Sequence, residues 1–252
     1  MVEVKKATKK YGQKTVVDDV SVKIAKGKIT SFIGPNGAGK STLLSGISRL
    51  IKVDEGEIYI GDQNIQNVKT NDLAKQISIL KQANSINIRL TVRELVAFGR
   101  FPYSQGRLTD EDWEAVDEAI AYMGLDDLQE RFLDHLSGGQ RQRAYIAMVI
   151  AQNTEYVLLD EPLNNLDMKH SVQIMKNLRK LVDELGKTVV IVLHDINFAS
   201  CYSDYIVGLK DGKVVRDGTK DEIMDTEVLK EIYDMDIPVQ TINGQKICVY
   251  FS

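Results

Sequence analysis

The stretch Gly34-Pro-Asn-Gly-Ala-Gly-Lys-Ser41 constrains this chain more than any other feature. It fits G-x-x-x-x-G-K-[ST] at every fixed position, follows the apolar run Ile29–Ile33 and precedes a helical pattern. A glycine-rich turn between a buried strand and a helix start folds tightly enough to aim backbone N–H groups at phosphate oxygens. The positive end of the helix adds to that field. The run Gly34, Pro35, Asn36, Gly37, Ala38, Gly39, Lys40, Ser41 and Thr42 is therefore expected to hold a nucleoside triphosphate. Lys40 has the reach for the β- and γ-phosphates, and the Ser41 hydroxyl suits Mg²⁺.

Composition narrows the rest. The chain has 252 residues, 43% hydrophobic and 27% charged, as in a water-soluble globular protein. A net charge of −4 argues against a broad nucleic-acid-binding face. No apolar run has the length of a membrane span, and Met1–Lys10 lacks the apolar core of a secretory signal. The expected place is the cytoplasm, or the cytoplasmic face of a membrane if another chain holds it there. Cys201 and Cys248 have no partner at a metal-ligand spacing and are expected to be free thiols.

The patterning alternates between strand and helix. Val20, Val22 and Ile24 alternate with Ser21 and Lys23, which predicts a half-buried strand. Leu43, Ile47 and Leu50 predict one face of a helix, and Glu57–Ile60 a short strand. Thr109 followed by Asp110-Glu-Asp112, then Trp113, Val116, Ile120 and Met123 before Gly124, predicts a capped helix with Trp113 in its core. A second helix is predicted from Ser137 to about Gln152. The stripe Val172, Met175, Leu178, Val182, Leu185 predicts a third, ended by Gly186. Thr188–Leu193, Ile206–Leu209 and Lys246–Phe251 read as strands, with a turn at Asp211-Gly212. The reading is an α/β core over 1–84 and 156–252, with a mostly parallel sheet, interrupted by a helical insertion over 85–155.

Tyr156-Val-Leu-Leu159 delivers Asp160 and Glu161 to a strand end, where ligands of open α/β sheets bind. Asp160 is placed to hold Mg²⁺, and Glu161 to polarise a water that attacks the γ-phosphate. Leu136-Ser-Gly-Gly-Gln140 opens a helix and makes a second phosphate-binding end in a chain with one phosphate loop. Head-to-tail pairing of two copies uses both.

Together these motifs resemble the ATPase subunit of an ABC transporter, whose signature is Leu-Ser-Gly-Gly-Gln. The resemblance covers the chain from its first strands to about Gly218. It implies a P-loop NTPase with a RecA-like core, an antiparallel β subdomain and an inserted α-helical subdomain. It also implies ATP and Mg²⁺, a homodimer, and separate transmembrane permease subunits served by a substrate-binding protein. By the same resemblance, Tyr11 stacks on adenine, and Gln82 contacts Mg²⁺ or the attacking water. Leu136, Ser137, Gly138, Gly139 and Gln140 face the opposing ATP, Asp167 lies on the dimer-facing loop, and His194 senses the γ-phosphate. The family's usual Ser-Ala-Leu-Asp is Asn164-Asn-Leu-Asp167 here, so Asp167 keeps its role without the detailed contacts.

The segment Thr91–Tyr103 and the run Glu161–Asp167 are similar to importers of iron–siderophore, haem and cobalamin type, and among these most to the petrobactin type. Import of a ferric siderophore is the favoured cargo reading, with haem, cobalamin or another metal chelate as alternatives. The docking surface for a permease is expected on the helical insertion and near Gln82. Two readings of other classes are a soluble ABC-type ATPase of repair or translation and a P-loop kinase. The first lacks the coiled coil or second cassette, and the second does not explain Leu136–Gln140.

Overall fold

A computed structural model describes residues 1–82, 88–164 and 166–250. Asn165, Phe251 and the expected start of the insertion at residue 85 lie outside the described residues. The first elements are β1 (Val2–Tyr11), β2 (Lys14–Ile24), β3 (Ile29–Ile33), α1 (Lys40–Ile47), β4 (Glu55–Ile60) and β5 (Gln63–Asn64). There follow α2 (Thr70–Ala74), β6 (Ile77–Leu80), α3 (Val92–Ala97), α4 (Phe101–Ser104), α5 (Asp110–Tyr122), α6 (Gly138–Ala151), β7 (Tyr156–Asp160) and α7 (Met168–Leu185). The chain continues with β8 (Thr188–Val192), α8 (Ile196–Tyr202), β9 (Tyr205–Lys210) and β10 (Lys213–Thr219). It ends with α9 (Lys220–Ile223), α10 (Thr226–Tyr233), β11 (Val239–Ile242) and β12 (Gln245–Cys248).

These elements form two compact units, Met1–Val68 with Thr188–Ser252, and Lys69–Lys187. In the first unit, β2, β1, β4 and β5 make an antiparallel sheet. Its alternation is the predicted one: Val20, Val22 and Ile24 are buried, Ser21 and Lys23 exposed. A second layer has β3 parallel to β8 and β9, with β10 antiparallel at the edge. Strands β3 and β8 are buried at every position, as parallel strands covered on both faces must be. Lys210 pairs with Lys213 across Asp211-Gly212, both at positive φ (49° and 80°), the two-residue turn that matches strand twist. The tail adds a hairpin, β11–β12, closed the same way by Asn243-Gly244.

In the second unit β6 runs parallel to β7, and helices α3, α5 and α6 pack together. Helix α5 starts as predicted, with a capping box between Thr109 and Asp112. Helix α6 starts with one between Ser137 and Gln140.

Three expectations shift. Helix α1 stops at Ile47, so Leu50 is exposed instead of continuing its face. Arg49 turns left-handed there (φ 57°), and its guanidinium donates to the carbonyls of Ile65 and Val68. On α7 the buried face runs through Ile174, Met175, Leu178 and Leu181, leaving Leu185 exposed in the last turn. Trp113 is half-buried with the Arg93 guanidinium 4.2 Å from its ring, so it walls a groove and does not fill the core.

Candidate functional site

In the first unit the strand register sets the geometry. Phe32 of β3 pairs with Val192 of β8, so Gly34 and His194 leave the same ends of adjacent parallel strands. The phosphate loop then needs its glycines for steric reasons. Gly34 has φ 137°, and a Cβ there would lie 1.9 Å from the Leu209 carbonyl oxygen. Gly39, the N-cap of α1, has φ 96°, and a Cβ would lie 2.5 Å from the Val16 carbonyl oxygen. A glycine N-cap brings no side chain to the first helical N–H groups, which suits an anion as their partner.

Lys40 is buried, and its ammonium donates to the carbonyls of Gly34 (2.7 Å) and Pro35 (2.9 Å). The loop is thus curled around its own lysine, which can exchange carbonyl oxygens for phosphate oxygens. His194 is exposed at the strand end. Tyr11 is exposed at the end of β1, with the Lys9 ammonium 5.5 Å from its ring.

In the second unit the same logic applies to two other strand ends. Leu80 pairs with Leu159 in the parallel β6–β7 ladder, which puts Gln82 beside Glu161. Glu161 is buried and left-handed (φ 50°), a strained setting that re-aims its side chain. Its Oε2 accepts from Gln82 Nε2 at 2.5 Å and from Asn164 Nδ2 at 2.5 Å. Two amide donors on one oxygen orient the carboxylate. Asp160, also buried, precedes it on β7. A 150 Å³ cavity is lined by Gln82, Glu161, Asn164, Gly138, Arg141 and Tyr145, among others. It joins the glutamate to the start of α6.

At that helix start, Ser137 Oγ accepts from the Gln140 N–H (3.2 Å), and Gln140 Oε1 accepts from the Ser137 N–H (2.9 Å). Ser137 and Gly138 are exposed. Gly139 has a second duty: a Cβ there would meet the His170 ring at 3.3 Å. His170 also pairs with Asp167, its N–H donating to Oδ1 (2.9 Å) and its Nδ1 lying 2.7 Å from Oδ2. The His170 backbone and ring hold the Asp167 carboxyl below the usual carboxylate range. Asp167 and the start of α6 therefore meet through His170. Sequence reasoning gave neither His170 nor Asn164 a role, although Asn164 is where the loop departs from the usual pattern.

The chain thus carries a phosphate loop, an amide-oriented glutamate at a strand end and a capped Leu-Ser-Gly-Gly-Gln helix. Residues 17–164 match the family model described as ABC transporter. The chain belongs to the ABC transporter ATPases. It is similar to the petrobactin import ATP-binding protein YclP of Bacillus subtilis (strain 168), 67% identical over the whole of both chains. It is 50% identical to the petrobactin import ATP-binding protein FatE of Bacillus anthracis, over 95% of this chain and 96% of the relative. Among solved structures, it resembles a dimeric ATP-binding cassette in a post-hydrolysis state, bound to ADP and Pi. That likeness has a TM-score of 0.78 and 36% identity, over 87% of this chain and 99% of the other. Like other ABC ATPases, the chain has the expected α/β fold with parallel strands, an antiparallel sheet and inserted helices. Among the described residues no helix is long and apolar enough to cross a membrane.

Proposed function

We propose that this ATP-hydrolysing chain energises import of a ferric siderophore of the petrobactin class through separate permease subunits at the cytoplasmic face of the membrane. The observation that carries the reading is end-to-end likeness, at 67% identity, to a petrobactin import ATP-binding protein. The groove of about 380 Å³ walled by Leu90, Phe98, Phe101, Leu108 and Trp113 supports it, because it offers an exposed apolar seat for a permease segment.

In the proposed mechanism two copies pair head to tail. ATP lies between the phosphate loop of one and Ser137–Gln140 of the other. Tyr11 stacks on the adenine. Lys40 moves from the Gly34 and Pro35 carbonyls to the β- and γ-phosphates, keeping its charge compensated throughout. The Ser41 hydroxyl, the Gln82 amide oxygen and the Asp160 carboxylate are all oxygen donors, the set Mg²⁺ takes. When bound, that ion neutralises charge developing on the phosphate oxygens. Glu161 orients a water and accepts its proton as the new P–O bond forms and the bond to the ADP oxygen breaks. His194 holds the γ-phosphoryl group, and Asp167 carries occupancy across the dimer.

The test is co-purification with the membrane subunits in vesicles. Hydrolysis stimulated by a binding protein loaded with ferric petrobactin supports the proposal. Stimulation by ferric hydroxamate, haem or cobalamin alone assigns another cargo. Failure to associate with any multi-span permease removes transport itself.

A further inference from the structure

We propose that the C-terminal segment from Tyr233 to Tyr250 is a positioning element of the nucleotide site. Tyr233 fixes the first glycine of the phosphate loop, and the β11–β12 hairpin fixes the turn that follows His194. The inference rests on the reading of Lys40 and His194 as ATP-handling groups.

Tyr233 is the last residue of α10, and its Oη accepts from the Gly34 N–H at 3.0 Å across 199 positions of sequence. The Gly34 carbonyl in turn accepts from Lys40 Nζ. One glycine therefore carries two tethers, one to the tail and one to the phosphate-loop lysine. Without a side chain and at φ 137°, Gly34 has little of its own to hold that conformation. Burial pushes the Tyr233 phenol up, so it stays neutral across the physiological range. A neutral acceptor anchors the loop without adding the negative charge that a carboxylate would set against phosphate.

The second contact follows His194 directly. Asp195 caps α8, its Oδ1 accepting from the Asn197 N–H (2.8 Å) and from the Tyr250 hydroxyl (3.3 Å). The Asn197 side chain pairs with the Cys248 backbone in both directions: Nδ2 donates to its carbonyl (3.2 Å) and Oδ1 accepts from its N–H (2.7 Å). Ser200 donates to the Lys246 carbonyl at 2.5 Å. Lys246 is itself anchored, its ammonium donating to the Asp221 and Met224 carbonyls. Asp195 and helix α8, which follow His194 directly, are thus bonded to Tyr250 and β12. The tail thus touches both segments that the mechanism needs in register, which a mere terminal ornament has no reason to do.

The test uses full-length Tyr233→Phe, which keeps the ring and removes the acceptor. The dissociation constant of a fluorescent non-hydrolysable ATP analogue and the KM for ATP should rise together, about fivefold, the worth of one neutral hydrogen bond. The kcat should stay within about twofold. Asn197→Leu should do the reverse: kcat falls about tenfold, with analogue binding unchanged. Should that variant not fold, Tyr250→Phe reads the same arm, with a smaller fall in kcat. The proposal is overturned if Tyr233→Phe leaves both ATP constants unaltered, or if the second arm changes only the melting temperature. Glu161→Gln separates the two levels. Normal turnover in that variant sinks the site reading itself, whereas an inactive Glu161→Gln beside wild-type-like tail variants sinks the tail proposal alone.

Discussion

Arg100→Met should destabilise the protein by about 3–5 kcal/mol, because it strips one partner from a buried ion pair. Both side chains are almost fully enclosed, 7% and 5% exposed. Arg100 Nε donates to Asp112 Oδ1 at 2.8 Å, and its Nη1 donates to the Ala151 carbonyl at 3.0 Å. Asp112 Oδ2 accepts from the N–H and the hydroxyl of Thr109, each at 3.0 Å. The guanidinium thus ties the N-terminal cap of α5 to an orphan carbonyl at the C-terminal end of α6, the helix whose other end is the signature. With Arg100 gone, the carboxylate keeps its cap donors but loses its counter-charge in a dry setting, and the Ala151 carbonyl loses its donor. An exposed pair would cost only ~0–1 kcal/mol. Chemical denaturation at neutral pH distinguishes the two values. Asp112→Leu in the Arg100→Met background should recover part of the loss, since no lone charge is then buried.

The same pair has a defined pH dependence. Burial opposes ionisation of Asp112, but the Thr109 and Arg100 donors outweigh it, and the carboxyl sits below its usual value. A carboxyl with a lowered folded pKa contributes stability above its unfolded pKa of about 3.9, and that contribution fades as pH falls through the folded value. Wild type should therefore lose more stability on acidification than the double variant. A cost under about 1 kcal/mol for Arg100→Met, or identical acid profiles, would refute the reasoning.

Three further outcomes follow from the site. Glu161→Gln should bind ATP, hydrolyse it about 10²–10⁴-fold more slowly, and accumulate as dimers in size-exclusion runs. Its two amide donors still find an oxygen, so the melting temperature should move little. Gly34→Ala should abolish binding of the ATP analogue and destabilise the fold, because its Cβ overlaps the Leu209 carbonyl; near-normal affinity would contradict that contact. Ser137→Arg should leave nucleotide binding to its own phosphate loop intact while preventing ATP-dependent dimers, both read by analytical ultracentrifugation.

Much of this was legible because the chemistry is local. Strand, glycine turn and helix are contiguous from Ile29 to Ile47, and the capping residues Thr109 and Ser137 stand beside the helices they start. The register that sets Gln82 beside Glu161 follows from two short apolar runs ending in polar residues. What escaped was non-local. The Tyr233–Gly34 bond spans 199 positions and the Asn197–Cys248 pairing 51, and neither leaves a periodic trace. The resemblance has Gly139 facing the opposing ATP, yet its Cβ space is also claimed by His170, which only tertiary packing reveals. The β11 strand was within reach, since Asn243-Gly244 is the strongest short hairpin signal, but the polar run before it lacks an apolar alternation. Leu50 and Leu185 fit helical stripes whose helices end or turn away before those residues are covered.

The decisive measurement is ATP turnover per chain across a dilution series, with mass monitored in the same samples. Composite sites built from two copies predict that turnover per chain collapses as the ATP-bound dimer dissociates, and recovers when the same chain is concentrated again. Constant turnover per chain from a population shown to be monomeric would contradict it.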